Sequence, residues 1–583
     1  MFGWHGRILK INLDLQSVQV DNPAPEVYRD FVGGRGLAGF YLRDRISLEW
    51  NDPAMPVLLF TGPLVDTAAP MSGRMAIMSR SPLTGTIGDC SVGGALGTLL
   101  KRAGWDGVII TGKSEDLCGI EINDDHIAIV DAVSLRGWTT GRVSDHLKEK
   151  GSTAVIGPAA ENGVLFSNIL VDGHFAAGRN GIGLSLAAKN IKYITVNGSG
   201  RTRVYDPAGL KRAREDINRL IAASPVLSGE YSIASFGTGA LYDLTDSRRM
   251  MPTRNFRATH FPGARALNAR AYQKTYEPRK AGCRGCSIHC KKIDRDGRPL
   301  PEFETMSHFS ALLENRDIEM VMQANQRCND LGIDTISTAA TLACYGEIEN
   351  KTLSPGEIIA LIEDIGKGRG KGIGLGKGAV LYAASRARKD TAMAVKGQEL
   401  PAYDPRGAYG MALAYAVSSR GGCHLRAYPV SHEILRKPVA TDRFSFSGKA
   451  RIIKTAEDLN AVADSLTACK FVFLAATLEE YAAALTAVTG VEMSAQQLLS
   501  AGERICYQER IMNSLNGFTQ ADDDLPGRFF TEAGSSGDHI EVPPLDREAF
   551  LGARARYYRV RGLDAMGKPL EAKARELGLR WNA

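Results

Sequence analysis

The stretch AGCRGCSIHCKK, residues 281–292, places Cys283, Cys286 and Cys290 in a C-x2-C-x3-C spacing. Three close thiols on a glycine-bounded loop are one short of the four that zinc or a cubane iron–sulfur cluster takes from protein. The order of spacings is the reverse of the C-x3-C-x2-C loop of radical SAM enzymes, and the second C-x2-C pair of a zinc ribbon is missing. Two readings therefore stand: an iron–sulfur cluster completed by a distant ligand, or zinc completed by His289 or a remote cysteine. The other cysteines are Cys90, Cys118, Cys328, Cys344, Cys423, Cys469 and Cys506. Ten in all are too few and too unevenly placed for a disulfide scaffold, so the close set points to metal or redox chemistry in a reducing compartment.

Other segments carry groups suited to a large anionic ligand. SGRMAIMSRSPLTGTIGDCSVGG (72–94) combines glycine turns, hydroxyls and the guanidinium forks of Arg74 and Arg80, which match phosphate oxygens. NDLGID (329–334) and DSLTAC (464–469) resemble each other, each at the end of a helical pattern, as a pair of turns gripping one ligand would. Glycine is abundant at 62 residues, with runs at 33–36, 93–94, 366–378 and 421–422, and permits close backbone approach to a ligand. The run GKGRGKGIGLGKG (366–378) never satisfies G-x4-G-K-[ST], so it reads as a helix–turn–helix connection and not as a nucleotide-hydrolysing loop.

These residues must be positioned by an α+β chain. Residues 1–205 read as β-rich, with short apolar runs at 56–62, 74–79, 106–112 and 193–198 bounded by Gly, Pro or Asp. From Asp206-Pro207 onward apolar spacing near 3.6 predicts helices at 316–330, 336–347, 355–365, 378–388, 408–419, 455–467, 475–487 and 493–514, with a long loop over 516–545. The expected domains are a β-rich cradle (1–205) and two mainly helical parts (206–405 and 406–583). Of the 583 residues 44% are hydrophobic and 23% charged, ordinary for a soluble protein. The net charge of +6 is spread along the chain and argues against nucleic acid as a partner. Neither a signal-peptide pattern nor an apolar run of membrane-spanning length is seen, so the expected location is cytoplasmic, without membrane insertion.

GCRGCSIHC, NDLGIDTIS, DPRGAYGMALAYAVSSRGGCHLRAYP and SPLTGTIGD, in this arrangement, resemble the aldehyde:ferredoxin oxidoreductase family from end to end. The resemblance implies a tungsten (or molybdenum) bis-pterin cofactor beside a [4Fe–4S] cluster. The pterins supply the sulfur ligands, so the pattern serves either metal. It implies Cys283, Cys286, Cys290 and Cys469 as cluster ligands, and paired pterin motifs at Asn329–Gly332–Asp334 and Asp464–Cys469. Here Asn329 replaces the family's Asp, Thr467 its Gly and Ala468 its Leu. Arg74 is implied between cluster and pterins, and carbonyls near Ser91 and Ala177 at a Mg2+ bridging the pterin phosphates. AAGRNGIG (176–183) resembles an A-G-R-G-G turn, with Gly178 and Arg179 kept and Asn180 in place of one Gly. PEFET (301–305) resembles P-E-Y-E-T, which assigns Glu304, with Glu302 as fallback, and the family's active-site histidine matches His424. His308, four residues after Glu304, is the second-ranked histidine for the substrate pocket. Where some members bind an interface iron through Glu, this chain has Gln323, so a homodimer stays open but that iron is not expected.

The implied activity is oxidation of a small aldehyde, with electrons passed to ferredoxin or an iron–sulfur subunit. Without a G-x-G-x-x-G after a strand, direct reaction with NAD is not expected. The alternatives are low-potential reduction of a substrate such as an aromatic acyl-CoA on the same cofactor and, from another class, a zinc-stapled binding protein.

Overall fold

The computed structural model describes residues 1–581. The runs VLLF and GVIIT are apolar without interruption because their sheet is buried on both faces. That sheet has the order β2–β1–β6–β3–β4–β5, from β1 (Ile8–Asn12), β2 (Ser17–Asp21), β3 (Val57–Phe60), β4 (Met75–Arg80), β5 (Ile87–Val92) and β6 (Gly107–Thr111). The β1 and β6 strands run parallel, with Ile8 opposite Gly107, and the remaining neighbours are antiparallel. Side chains alternate between two cores, as the pleat requires. Leu9, Ile11, Val57, Leu59, Met75, Ile77, Val108 and Ile110 face a second sheet. Ile8, Leu58, Phe60, Met78 and Ile109 face the helices.

The second sheet has the order β11–β10–β9–β12–β7–β8, from β7 (Cys118–Asn123), β8 (His126–Asp131), β9 (Ser152–Ile156), β10 (Ile169–Val171), β11 (Phe175–Ala177) and β12 (Ile191–Asn197). Ile120, Ile122, Ile194 and Val196 complete the intersheet core. The two sheets thus form a layered support whose helix-facing side carries the loops of the site.

The helices that bear on the site are α1 (Gly34–Leu42), α2 (Pro207–Ala223), α3 (Phe303–Phe309), α4 (Ile318–Leu331), α5 (Thr335–Ile348), α6 (Lys449–Leu466), α7 (Ala495–Leu515) and α8 (Arg547–Arg561). The start of α2 follows its sequence signal: Pro207 occupies the first turn and the Gly209 N–H donates to Asp206 Oδ1 at 2.9 Å. Helix α6 packs along α7, α8 and α1. The 33–36 glycine run serves that packing and not a ligand, since a Cβ on Gly34 would stand 2.3 Å from the Asp464 carbonyl oxygen of α6. The β-rich to helical order agrees with the sequence reading. Helix α8 was not expected, because it follows the polar stretch 516–545, whose composition hides where helix resumes, whereas α3 carries Glu304 and His308 on the helical run that their four-residue spacing suggested. Among the described residues no helix is long and apolar enough to cross a membrane.

Candidate active site

A cavity of about 700 Å³ lies where the loops of the first sheet meet the helices. Of the residues singled out in the sequence, Arg74, Ser91, Gly178, Arg179, Cys283, Cys286, Cys290, Glu304, Asn329, Asp334, His424, Asp464 and Cys469 line it. Ala177 lies instead in the intersheet core, between the lining residues Ala176 and Gly178. Gly332 is a buried helix cap and not part of the wall.

Cys283, Cys286 and Cys290 sit on the loop of a hairpin between β13 (Arg279–Ala281) and β14 (Lys291–Ile293). Cys469 arrives from the end of α6, its N–H donating to the Met71 carbonyl at 2.9 Å. All four are free thiols. Among the described residues no three His, Cys, Asp or Glu side chains converge on the position of a single ion. Gly93 lets the hairpin loop come close: a Cβ there would lie 2.5 Å from Cys283 Sγ. Arg74 stands among these thiols. Burial opposes its charge, yet Cys469, Cys283, Asp464 and Cys290 together hold its pKa above the usual value. Its Nε donates to Ser91 Oγ at 2.8 Å and its Nη2 to the Ser91 carbonyl. Burial pushes Cys290 up to about 12 and also raises Cys469, which Arg74 opposes. Thiols so placed ionise only against added positive charge, which a metal supplies. Glu302 lies on this side too, 2.9 Å from Lys291, whose ammonium keeps the carboxyl below its ordinary pKa against burial.

Two residues along the same run, Glu304 enters different company. Its Oε2 accepts the Ala402 N–H at 2.7 Å, while Oε1 lies 3.3 Å from His424 Nε2 but is misaligned for a hydrogen bond. Burial drives the carboxyl up to about 8, with Ala402 and Arg179 opposing. Burial, then Arg179, Arg420 and Lys470, push the imidazole well below its ordinary value. At neutral pH the pair is thus an un-ionised acid beside a neutral ring. The Glu304 Oε1 and His424 Nδ1 atoms are buried without hydrogen-bond partners. The Tyr403 and Tyr428 rings flank the imidazole, their hydroxyls 3.1 Å apart.

The two similar segments are two similar turns. Gly332 ends α4 at φ 75, ψ 48, and Thr467 ends α6 at φ 54, ψ 32. Two residues later Asp334 (φ −66, ψ 121) and Cys469 (φ −73, ψ 127) each open a new helical element. Thr467 thus holds the left-handed conformation that Gly adopts freely. Its Oγ1 compensates by accepting the Gly62 N–H at 3.2 Å and donating to the Leu466 carbonyl at 2.7 Å. Asn180 likewise replaces Gly at φ 67, a region Asn tolerates. Asp334 caps α5 through the Ile336 N–H at 2.9 Å and accepts from Arg179 Nε at 3.0 Å. Arg179 also donates to the Gly422 carbonyl at 3.1 Å and the Glu399 carbonyl at 2.8 Å, tying three segments together. Asp464 pairs through Oδ2 with Lys470 Nζ at 2.8 Å, and its buried Oδ1 is unpartnered.

Some expectations are corrected. Arg80 leaves the cradle and donates to the Leu48 carbonyl at 2.6 Å and the Gly85 carbonyl at 3.2 Å. His308 does not line the cavity: it is fully buried, its Nε2 3.1 Å from the Leu400 carbonyl, and burial lowers it to about 4. Gln323 lies on the exposed face of α4. A buried ionic network behind the site was not foreseen. Arg35 joins Glu509 at 2.6 Å and Asp464 at 3.4 Å, and Arg426 Nη1 donates to Asp89 at 3.1 Å. The signal for Arg420 and Arg426 was present in SSRGGCHLRAYP, but their acidic partner is more than 300 residues away.

Comparison with known proteins agrees with this arrangement. The family model "Aldehyde ferredoxin oxidoreductase, N-terminal domain" matches residues 8–198, and "Aldehyde ferredoxin oxidoreductase, domains 2 & 3" matches 212–579. The tungsten-containing aldehyde ferredoxin oxidoreductases of Pyrococcus furiosus and Thermococcus kodakarensis are each 34% identical, over 99% of this chain and 99% of theirs. The WOR-like subunit of a P. furiosus aliphatic sulfonate oxidoreductase is 26% identical over 99% of this chain and 97% of its own. The same fold occurs in the active-site complex BamBC of benzoyl coenzyme A reductase, solved with 1,5-dienoyl-CoA. Its TM-score is 0.85 at 20% identity, covering 99% of this chain and 97% of that one. By models that together span nearly all of its length, and by full-length relatives at 34% identity, this chain belongs to the aldehyde ferredoxin oxidoreductase family.

Proposed function

We propose that the chain oxidises aldehydes to carboxylic acids at a tungsten bis-pterin centre, with electrons leaving through a [4Fe–4S] cluster to ferredoxin or an iron–sulfur subunit. The observation that carries this reading is the single cavity in which four free thiols and the Glu304–His424 pair occur together. The residues present fit the groups. Cys283, Cys286, Cys290 and Cys469 would hold the cluster, and Arg74 would stand between cluster and pterins. Asn329, Asp334 and the unpartnered Asp464 Oδ1 would meet pterin amides. The Ser91 carbonyl keeps a lone pair for magnesium beside the Arg74 N–H it accepts. We place the work in the cytoplasm and divide the chain into a cradle (1–205) and two helical parts meeting near residue 405.

When bound, the metal–pterin centre supplies a Lewis acid and an acceptor for two electrons. The balance is aldehyde plus water giving carboxylic acid, two protons and two electrons. The chain's own part is to orient the aldehyde and carry the protons. The Ala402 N–H fixes Glu304 Oε2, which leaves Oε1 directed at the imidazole, and once the carboxyl has ionised Oε1 can take a proton from water. Neutral His424 can donate to a carbonyl oxygen through one ring nitrogen and accept through the other. Tyr403, Tyr428 and Leu425 form an apolar surround that excludes bulk water from the pair.

The test is to purify the protein anaerobically, count W, Mo, Fe and Zn per chain, and assay aldehydes with oxidised ferredoxin. Tungsten with about four iron per chain and aldehyde-dependent ferredoxin reduction are expected. Zinc alone would overturn the reading. A loaded enzyme inactive on every aldehyde would point instead to reduction of an acyl-CoA.

A further inference from the structure

The cavity wall is graded along its length. Asn460 of α6 donates to the Arg426 carbonyl at 3.1 Å, which sets it level with the segment that carries His424. From Asn460 back to Arg451 the helix rises about 14 Å at 1.5 Å per residue. Between them Leu459 and Ala456 line the cavity, and Arg451 ends the stripe in an exposed position. The segment facing it repeats the order. After His424 it contributes Leu425 and Tyr428 to the wall, then exposed Lys437. Two walls therefore run from the Glu304–His424 pair past apolar side chains to a cation, with Ser431 and His432 on one and Thr455 on the other between the apolar part and the cation.

The charge balance leaves four lining cations without a carboxylate at ion-pair distance among the described residues: Arg74 and Arg284 beside the cysteines, and Arg451 and Lys437 on the other walls. Each charged carboxylate that lines the cavity is answered: Asp89 by Arg426, Glu302 by Lys291, Asp334 by Arg179 and Asp464 by Lys470. The lysines next to Arg451 along α6 do not line the cavity and are occupied, Lys449 by Glu433, and Lys454 by Asp458 and Glu503. Of the lining carboxylates named above only Glu302 is exposed, and Lys291 pairs with it, so none is left free to screen Arg451 or Lys437.

We propose that Arg451 and Lys437 form an anion subsite at the cavity mouth, and that the preferred aldehydes carry a carboxylate at the far end of an apolar body. The apolar part would lie along Leu459, Ala456, Leu425 and Tyr428, with the carboxylate accepted at the rim. A charged tail held there would orient the aldehyde carbon toward Glu304 and His424 and raise encounter rates with anionic substrates. This substrate class rests on the aldehyde oxidation proposed above.

The test compares 9-oxononanoate with nonanal on the tungsten-loaded enzyme, wild type against Arg451→Ala/Lys437→Ala. Both side chains are exposed, so the fold tolerates the change. At least a tenfold preference in kcat/KM for 9-oxononanoate is expected, carried by KM and weakened by salt. The double variant should lose at least tenfold on 9-oxononanoate and less than twofold on nonanal, with Arg451→Lys restoring part of the loss. A second readout needs no turnover: azelate, the dicarboxylate product, should bind the wild type by titration calorimetry and not the double variant. Equal kcat/KM for the two aldehydes, or azelate binding unaffected by the variant, would overturn the subsite. Turnover of neither aldehyde, with azelate binding still dependent on Arg451 and Lys437, would sink aldehyde oxidation and leave the anion subsite standing.

Discussion

Glu304 Oε1 and His424 Nε2 stand 3.3 Å apart with opposite displacements of pKa, the acid raised to about 8 and the ring lowered far below its ordinary range. Both shifts have burial as their largest cause, so each group is held in its neutral form. The expected consequence is a limb in kcat/KM that rises with pH through about 8, as Glu304 becomes the base. In Glu304→Gln the limb should vanish and kcat fall by about 10²–10⁴. Stopped-flow ferredoxin reduction across the pH range checks both, and an unchanged profile would remove Glu304 from the chemistry.

The same shift has a sign for stability. Unfolded, the carboxyl ionises near 4.5; folded, near 8. Between those values the unfolded chain binds fewer protons, so stability falls as pH rises through the window. Below about pH 4.5 both states are protonated and the penalty is absent. The Glu304→Gln apoprotein should therefore gain in Tm over wild type as pH is raised from about 5 to 8. Parallel melting curves at several pH values would show whether it does.

If the four thiols hold the proposed cluster, Cys469→Ser should lower iron content and bleach its visible absorption, whereas Cys506→Ser, buried away from the cavity, should leave both unchanged. Gly93→Ala tests the same loop from the other side, because its Cβ would press on Cys283 Sγ. Iron quantitation on the three variants distinguishes a ligand from a neighbour, and full iron in Cys469→Ser would exclude it from the ligand set.

Arg179→Ala leaves Asp334 buried without its cation and frees the Glu399 and Gly422 carbonyls. The expected cost is about 3–5 kcal/mol, read from the urea midpoint, and Arg179→Lys should recover only part, since one ammonium cannot span the three acceptors.

At Thr467 two effects nearly cancel. Thr467→Gly relieves a left-handed β-branched residue but forfeits two hydrogen bonds, for a net change within about 1 kcal/mol. Thr467→Val keeps the strain and loses both bonds, so it should be destabilised by about 1–3 kcal/mol. A Val variant as stable as wild type would show that Oγ1 is not what holds the turn.

Much of this was legible because it is local. The doubly buried strands read as apolar runs, the three-cysteine loop reads by spacing, and the paired turns read by similarity of six residues. What escaped depends on partners far along the chain. The family resemblance set Glu304 ahead of Glu302 and named His424, but spacing alone marks neither the Glu304–His424 approach nor the Glu302–Lys291 pair. Arg80 and Arg74 look alike in sequence, yet one serves loop carbonyls and the other stands among thiols. The Arg35–Glu509 pair spans 474 residues, and neither residue carries a local mark of it.

The sheet of β1 to β6 shows one of its faces to helices from the far end of the chain, with Met78 and Phe60 sharing a core with Leu466 and Ile505. During synthesis α1 covers only part of that apolar face, and the rest waits until roughly 350 residues beyond β6 have been made. The cavity wall is likewise incomplete until α6 and Cys469 arrive. A nascent chain of this design therefore carries a partly uncovered apolar face through much of its translation. The side of the cavity built by α6 and Cys469 is therefore among the last to form, an order set by the topology.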